Sequence, residues 1–189
     1  MAVNRGKQFE NVIKEAFEKV PDVSVVRLHD QTTGYIGSSN HCDFIVYHKP
    51  YEYHLECKSV HGNTFSIHSN PKKDKNGILH GFYGNITDKQ WEGLLEKSKI
   101  PGVIAGVILW WVDKDATVFL PIQMLKDLRD CGDKSVAYNG DWQDFNDDWN
   151  WRWIRGKKKR VFFDYDMKRF LEVVEYGQRT REKDNRVEE

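Results

Sequence analysis

Three residues in the first third of the chain, Asp43, Glu56 and Lys58, have the types and spacing that metal-assisted hydrolysis of a phosphodiester requires. Two carboxylates offer hard oxygen ligands to Mg2+, an ion that keeps several of its waters and takes few protein ligands. The metal acidifies a bound water and offsets the charge building on the phosphate, while a nearby ammonium orients the nucleophile or stabilises the transition state. The pattern D…ExK by itself equally describes a half-exposed strand whose polar face meets water. What decides between the two is how the surrounding elements place the groups.

Glu56 and Lys58 fall in an apolar run, Tyr51 to Val60, that reads as a strand. Side chains alternate along a strand, so Glu56 and Lys58 share one face and Leu55 and Cys57 the other. Asp43 opens a second run, to Tyr47, separated from the first only by His48, Lys49 and Pro50. That is the spacing of a hairpin, which brings Asp43 to the Glu56 face. Upstream, Phe9, Val12, Ile13, Ala16, Phe17 and Val20 recur at helical steps between Arg5 and Val20, and Pro21 ends the pattern. Val23 to Leu28 reads as a short strand, followed by a polar loop, 30–41. Residues 61–85 are rich in Gly, Asn, Ser and Lys and read as a long loop or irregular insertion.

Thr87 is a candidate N-cap for a helix carrying Gln90, Trp91, Leu94 and Leu95, closed before Pro101. Strands are expected at Val103 to Val112 and Thr117 to Leu120, and a helix at Pro121 to Leu128. A Trp-rich and basic appendage, 140–160, precedes a short strand at Val161 to Phe163 and a last helix from Asp166 to Tyr176. The charged tail, 178–189, is expected to fray. The order indicates an α/β fold, a mixed central sheet flanked by helices, in a single domain spanning 1–177.

Hydrophobic residues make up 39% of the chain and aromatics 13%, enough for a packed core and far from a disordered composition. No run approaches the roughly 20 apolar residues of a membrane span, and the start lacks the apolar stretch of a secretory signal, so a cytoplasmic protein is expected. The three cysteines, Cys42, Cys57 and Cys131, show no CxxC spacing and suggest neither a disulfide framework nor a structural zinc site. Formal charge is zero, with 29 basic and 29 acidic residues, which is not the bulk signature of a nucleic-acid binder. The charge is uneven, however: 155–160 reads RGKKKR, whereas Asp141, Asp144, Asp147 and Asp148 lie just before it.

Asn4-Arg5-Gly6 followed by Phe9-Glu10, then Asp43, Glu56-Cys57-Lys58 and Gln90, resembles the RecU-type Holliday junction resolvases of bacteria and their phages, members of the PD-(D/E)xK nuclease superfamily. The likeness covers about the first two thirds of the chain. It implies a restriction-endonuclease-like core and a homodimeric, Mg2+-dependent enzyme that cuts four-way DNA junctions symmetrically. Asp43 and Glu56 would then be metal ligands, Lys58 would stabilise the transition state, Gln90 would sit at the metal directly or through water, and Glu10 would reach the site from the first helix. Arg5 would hold a phosphate. The family has a Thr two positions before its aspartate; here that position is His41, a poorer partner for Mg2+ that leaves Mn2+ open. The stretch from Arg27 to Cys42 is also short for the stalk with which the family enters a junction; Lys72 and Lys73 in the 61–85 insertion are candidates for the same work.

Further candidates are weaker. His54 shares the Glu56 face, and with His41 and Asp43 it could form a zinc or manganese site. Trp142, Trp149, Trp151 and Trp153 beside the basic run could stack on unpaired bases, though packing on the sheet or at a subunit interface is the commoner fate of such residues. Lys157, Lys158, Lys159 and Arg160 are candidate DNA contacts. Two readings stay open beside the resolvase: a duplex-cutting, restriction-like endonuclease, and a catalytically silent DNA-binding module on the same scaffold.

Overall fold

A computed structural model describes residues 5–28, 40–68, 72–73, 76–77, 79–80, 84–138 and 152–187. In chain order the elements are α1 (Arg5–Glu18), β1 (Ser24–Arg27), β2 (Phe44–His48), β3 (Tyr51–Val60), β4 (Thr64–Ser66), β5 (Lys72–Lys73) and β6 (Leu79–His80). They continue with α2 (Asp88–Ser98), β7 (Val103–Trp111), β8 (Ala116–Pro121), α3 (Ile122–Asp130), β9 (Ser135–Ala137), β10 (Arg152–Trp153), β11 (Gly156–Lys158), β12 (Phe163–Tyr165) and α4 (Met167–Val187).

Six strands form the central sheet in the order β1-β2-β3-β7-β8-β10. β1, β2 and β3 pair antiparallel, as do β7, β8 and β10, and the two halves meet where β3 and β7 run parallel. Parallel neighbours need a crossover connection, and α2 lies within it. The mixed sheet flanked by helices that the sequence implies is therefore the observed architecture.

Each sheet face has its own core. On one, Phe9, Ile13 and Phe17 of α1 and Phe170 and Leu171 of α4 pack on Phe44, Tyr53, Leu55 and Phe119. On the other, Trp91 and Leu94 of α2 and Ile122 and Leu125 of α3 pack on Val107, Leu109, Val118 and Leu120. The central strand β7 supplies both cores, Ile108 and Trp110 to the first and Val107, Leu109 and Trp111 to the second, which explains its unbroken apolar sequence.

Three expectations are corrected. The 61–85 segment is not simply a loop: β4 pairs with β9, β5 pairs with β6, and Phe65 and Ile67 are fully buried in the second core. Two alternating apolar residues among Gly, Asn and Ser were too sparse a pattern to show this. The last strand lies at Phe163–Tyr165 and pairs with β11. The final helix continues past Gly177, through the charged residues expected to fray, to Val187; Gln, Arg, Glu and Lys are good helix formers and carry it on. Trp142, Trp149 and Trp151 lie outside the described residues.

Candidate active site

The β2–β3 register sets Phe44 opposite Leu55. One step further back, the Asp43 backbone N–H donates to Leu55 O at 3.0 Å, so Asp43 stands across from Glu56. Phe44, Leu55 and Cys57 belong to the α1 and α4 core, which leaves Asp43, Glu56 and Lys58 on the face covered by α2. Asp43 is fixed by its own neighbours: its Oδ2 accepts from the Cys57 backbone N–H at 2.7 Å.

Gln90 reaches the group from the first turn of α2. The Thr87 side chain accepts from the Gln90 backbone N–H, and the Gln90 side chain accepts from the Thr87 N–H at 3.1 Å, a capping box that locks the start of the helix. From there Gln90 Nε2 donates to Glu56 Oε1. Lys58 Nζ lies 2.8 Å from the same Glu56 oxygen and donates to Gln90 Oε1 at 3.3 Å. Helix capping and site geometry thus share one side chain.

Both of these Glu56 contacts go to Oε1. Oε2 is buried and has no hydrogen-bond partner, although the Glu56 side chain is only 3% exposed. A buried carboxylate left short of partners is costly when ionised. Burial accordingly pushes the Glu56 carboxyl up to about 8, with Lys58 opposing and Asp43 adding to the rise. Burial likewise pushes Asp43 up to about 6, against the Cys57 N–H and with the help of Glu10. An unpaired acid oxygen beside a second carboxylate, both held where ionisation is unfavourable, fits a hard divalent cation: its charge would supply what the protein withholds.

Glu10 stands at the rim. It forms an ion pair with Arg27, whose other nitrogen donates to Asn11 Oδ1 at 2.9 Å, and its charge acts on both Asp43 and Glu56. Arg27 escaped sequence reasoning. Its signal was positional, since it ends β1 directly across from Phe44, the residue after Asp43.

The hydrogen-bond partner of His41 is His54: Nε2 and Nδ1 lie 2.7 Å apart and the rings stack at 5.0 Å. Burial, then His54, lowers the His41 pKa. Arg5 is exposed at the start of α1. Lys72 and Lys73 form β5, away from the main sheet. Lys157, Lys158, Lys159 and Arg160 are exposed on β11 and the residues after it; Lys158 pairs with Asp115, and Lys159 lies 3.7 Å from Asp164. Trp153 packs edge-on to Tyr138 at 6.4 Å, the structural role expected of it. A cleft of about 410 Å3 between Thr117, Trp153, Arg155 and Tyr165 is lined by none of Asp43, Glu56 and Glu10.

No protein-family model matches the sequence, and no curated protein does. Among solved structures the fold is similar to Hjc, a Holliday junction resolvase of Archaeoglobus fulgidus, with a TM-score of 0.45 and 18% identity over 71% of this chain and 88% of that one. It is also similar to the bacterial homing endonuclease I-Ssp6803I, with a TM-score of 0.41 and 11% identity over 93% of this chain and 95% of that one.

Proposed function

We propose that the protein is a Mg2+-dependent DNA endonuclease and that its preferred substrate is a branched, four-way junction. The observation that carries the nuclease reading is the cluster of Asp43, Glu56, Lys58 and Gln90 around an unpartnered buried carboxylate oxygen. Asp43 and Glu56 would hold the metal, which when bound supplies a nucleophilic water and offsets phosphate charge. Gln90 orients Glu56 from the capped start of α2. Lys58, which contacts Glu56 and Gln90, would turn its ammonium toward a phosphate oxygen and stabilise the charge that develops there. Glu10, paired with Arg27, would add a further acidic ligand or hold a metal-bound water. Exposed Arg5 and the 157–160 run would bind flanking phosphates.

Junction preference and a homodimer matched to the two-fold symmetry of the junction rest on the sequence resemblance, and a cytoplasmic location on the sequence composition. The shortness of the stretch before Asp43 favours a second reading, a duplex-cutting nuclease with the same catalytic set. No described helix is long and apolar enough to cross a membrane.

The test is Mg2+-dependent cleavage of matched four-way, flap and linear DNAs by wild type beside Lys58→Ala. Paired symmetric nicks in the four-way substrate, lost in the variant, support the proposal; equal cutting of linear DNA favours the second reading. Absence of cleavage on every substrate with Mg2+ or Mn2+ would refute both. Sedimentation with and without junction DNA tests the dimer.

A further inference from the structure

The geometry points to a second metal centre, separate from the carboxylate pair and chemically unlike it, in which His41, Cys42 and His54 bind Zn2+. His41 and Cys42 lie just before β2 and His54 lies on β3, so hairpin pairing, not sequence spacing, brings them together. Their ligand atoms all fall within 4.8 Å of one another. His54 Nδ1 is 2.7 Å from His41 Nε2 and 3.9 Å from Cys42 Sγ. Ligands around tetrahedral zinc stand roughly 3.3 Å apart for two nitrogens and roughly 3.6 Å apart for nitrogen and sulfur, so both His54 separations lie within about an ångström of what zinc requires.

A further contact marks His54 as prepared for this role. Its Nε2 meets Glu52 Oε1 at 2.7 Å while its side chain is 3% exposed. A carboxylate on one imidazole nitrogen fixes the tautomer and leaves the other nitrogen bare, the arrangement found behind metal-bound histidines. In that tautomer His54 Nδ1 accepts, and His41 Nε2 donates to it. On binding zinc, His41 moves its proton to Nδ1, Cys42 releases its thiol proton to solvent, and water completes the tetrahedron. Thiolate and imidazole donors select a borderline ion over Mg2+ or Mn2+.

The centre would tie three elements together beside the acidic site. His41 and Cys42 lead directly into Asp43, and His54 is two residues from Glu56. A Cβ added to Gly93 of α2 would fall 2.4 Å from the His41 Cβ, so α2 packs directly on this residue. The role is structural and holds whether or not the carboxylates cut DNA.

Co2+ provides the probe. Metal-free full-length protein carrying Cys131→Ser, which removes the exposed thiol, is titrated with Co2+ and followed by near-ultraviolet thiolate-to-cobalt charge transfer. One equivalent should give the band together with intense tetrahedral visible absorption, bleached by stoichiometric Zn2+ but not by excess Mg2+. Cys42→Ser should abolish the band with the circular dichroism spectrum unchanged, Glu52→Gln should weaken binding about 10- to 100-fold, and Glu56→Gln should leave the band intact. No charge-transfer band, a band surviving Cys42→Ser, or a band lost in Glu56→Gln would overturn the proposal, the last by placing the ion among the carboxylates.

Discussion

Two glutamates are buried against the same strand, and the fold treats them in opposite ways. Glu175 of α4 is 6% exposed, and its Oε1 takes the Tyr53 hydroxyl at 3.0 Å and the His48 Nδ1 at 2.5 Å. Glu56, 2% exposed on the other face, keeps one oxygen with no partner at all. Tyr53 brings a hydroxyl to Glu175 from within the α1 and α4 core, so that carboxylate ties helix to sheet. Lys58 and Gln90 crowd onto one oxygen of Glu56 and leave the other buried without a partner, whereas Glu175, whose two contacts also share one oxygen, has no buried oxygen left short. Glu56 thus keeps coordination to spare, which is what a carboxylate would need to hold a ligand.

The largest effect that could break this contrast is catalytic. Glu56→Gln keeps the shape and a hydrogen bond to Gln90 but removes the charge a divalent ion needs. Cleavage should fall on the order of 1,000-fold, as should that of Lys58→Ala, measured as single-turnover rates on the preferred DNA. The same Glu56→Gln change should leave the metal-free protein as stable as wild type or more so in thermal melts with chelator, because it removes an acid that folding must either protonate or bury as a charge. A destabilised Glu56→Gln protein would make Glu56 a structural acid like Glu175. For Glu175→Ala the expectation reverses: loss of about 2–4 kcal/mol in urea unfolding, with the Tyr53 hydroxyl stranded, and no direct effect on chemistry in the protein that remains folded.

How far the sequence revealed these two sites follows from where their partners come from. Asp43, Glu56 and Lys58 were legible because hairpin pairing and strand alternation are local rules, and three residues of turn determine which side chains meet. Thr87, as an N-cap, put Gln90 on its helix, but only the sequence resemblance put Gln90 at the site. Glu175 was not: its partners, Tyr53 and His48, are more than a hundred positions away, and nothing local distinguishes it from the solvated acids of the same helix. Arg27 was hidden for the same reason, as its role depends on β1 pairing with β2 rather than on its own neighbours. The β4–β9 pairing joins segments on either side of α2, β7, β8 and α3, and no periodicity in 61–85 could announce a partner so distant.

A smaller effect sharpens the contrast through pH. Glu56 is held up to about 8 by burial and Asp43 to about 6. In the unfolded chain both acids lose their protons near pH 4, so between pH 4 and 8 the folded state holds the extra protons. The resulting stabilisation is complete below pH 4 and is lost as pH rises through 6 and then 8. Metal-free wild type should therefore lose stability relative to Glu56→Gln across this interval. Mg2+ acts in the opposite sense: it must displace the protons, so its apparent affinity should strengthen from pH 6 to 8, with proton release detectable by calorimetry in two buffers of different ionisation heat. A flat affinity across that range would mean that the ion does not bind these carboxylates.

The smallest expected effect concerns the basic run, which differs from both glutamates in being exposed. Lys158 pairs with Asp115, but both side chains are about half exposed, at 53% and 43%, and an exposed pair of this kind adds little to the fold. Lys158→Ala should therefore change stability by less than about 0.5 kcal/mol. If the 157–160 segment holds phosphates, the same substitution should weaken DNA binding alike on every sequence and lower the slope of log affinity against log salt by about one. That slope is the telling quantity. An affinity loss with an unchanged slope would mean that Lys158 positions the hairpin of β11 and β12 without meeting a phosphate. An unchanged affinity would leave the run as a solvated surface, with the DNA path confined to the Arg5 end of α1 and the acidic centre beside it.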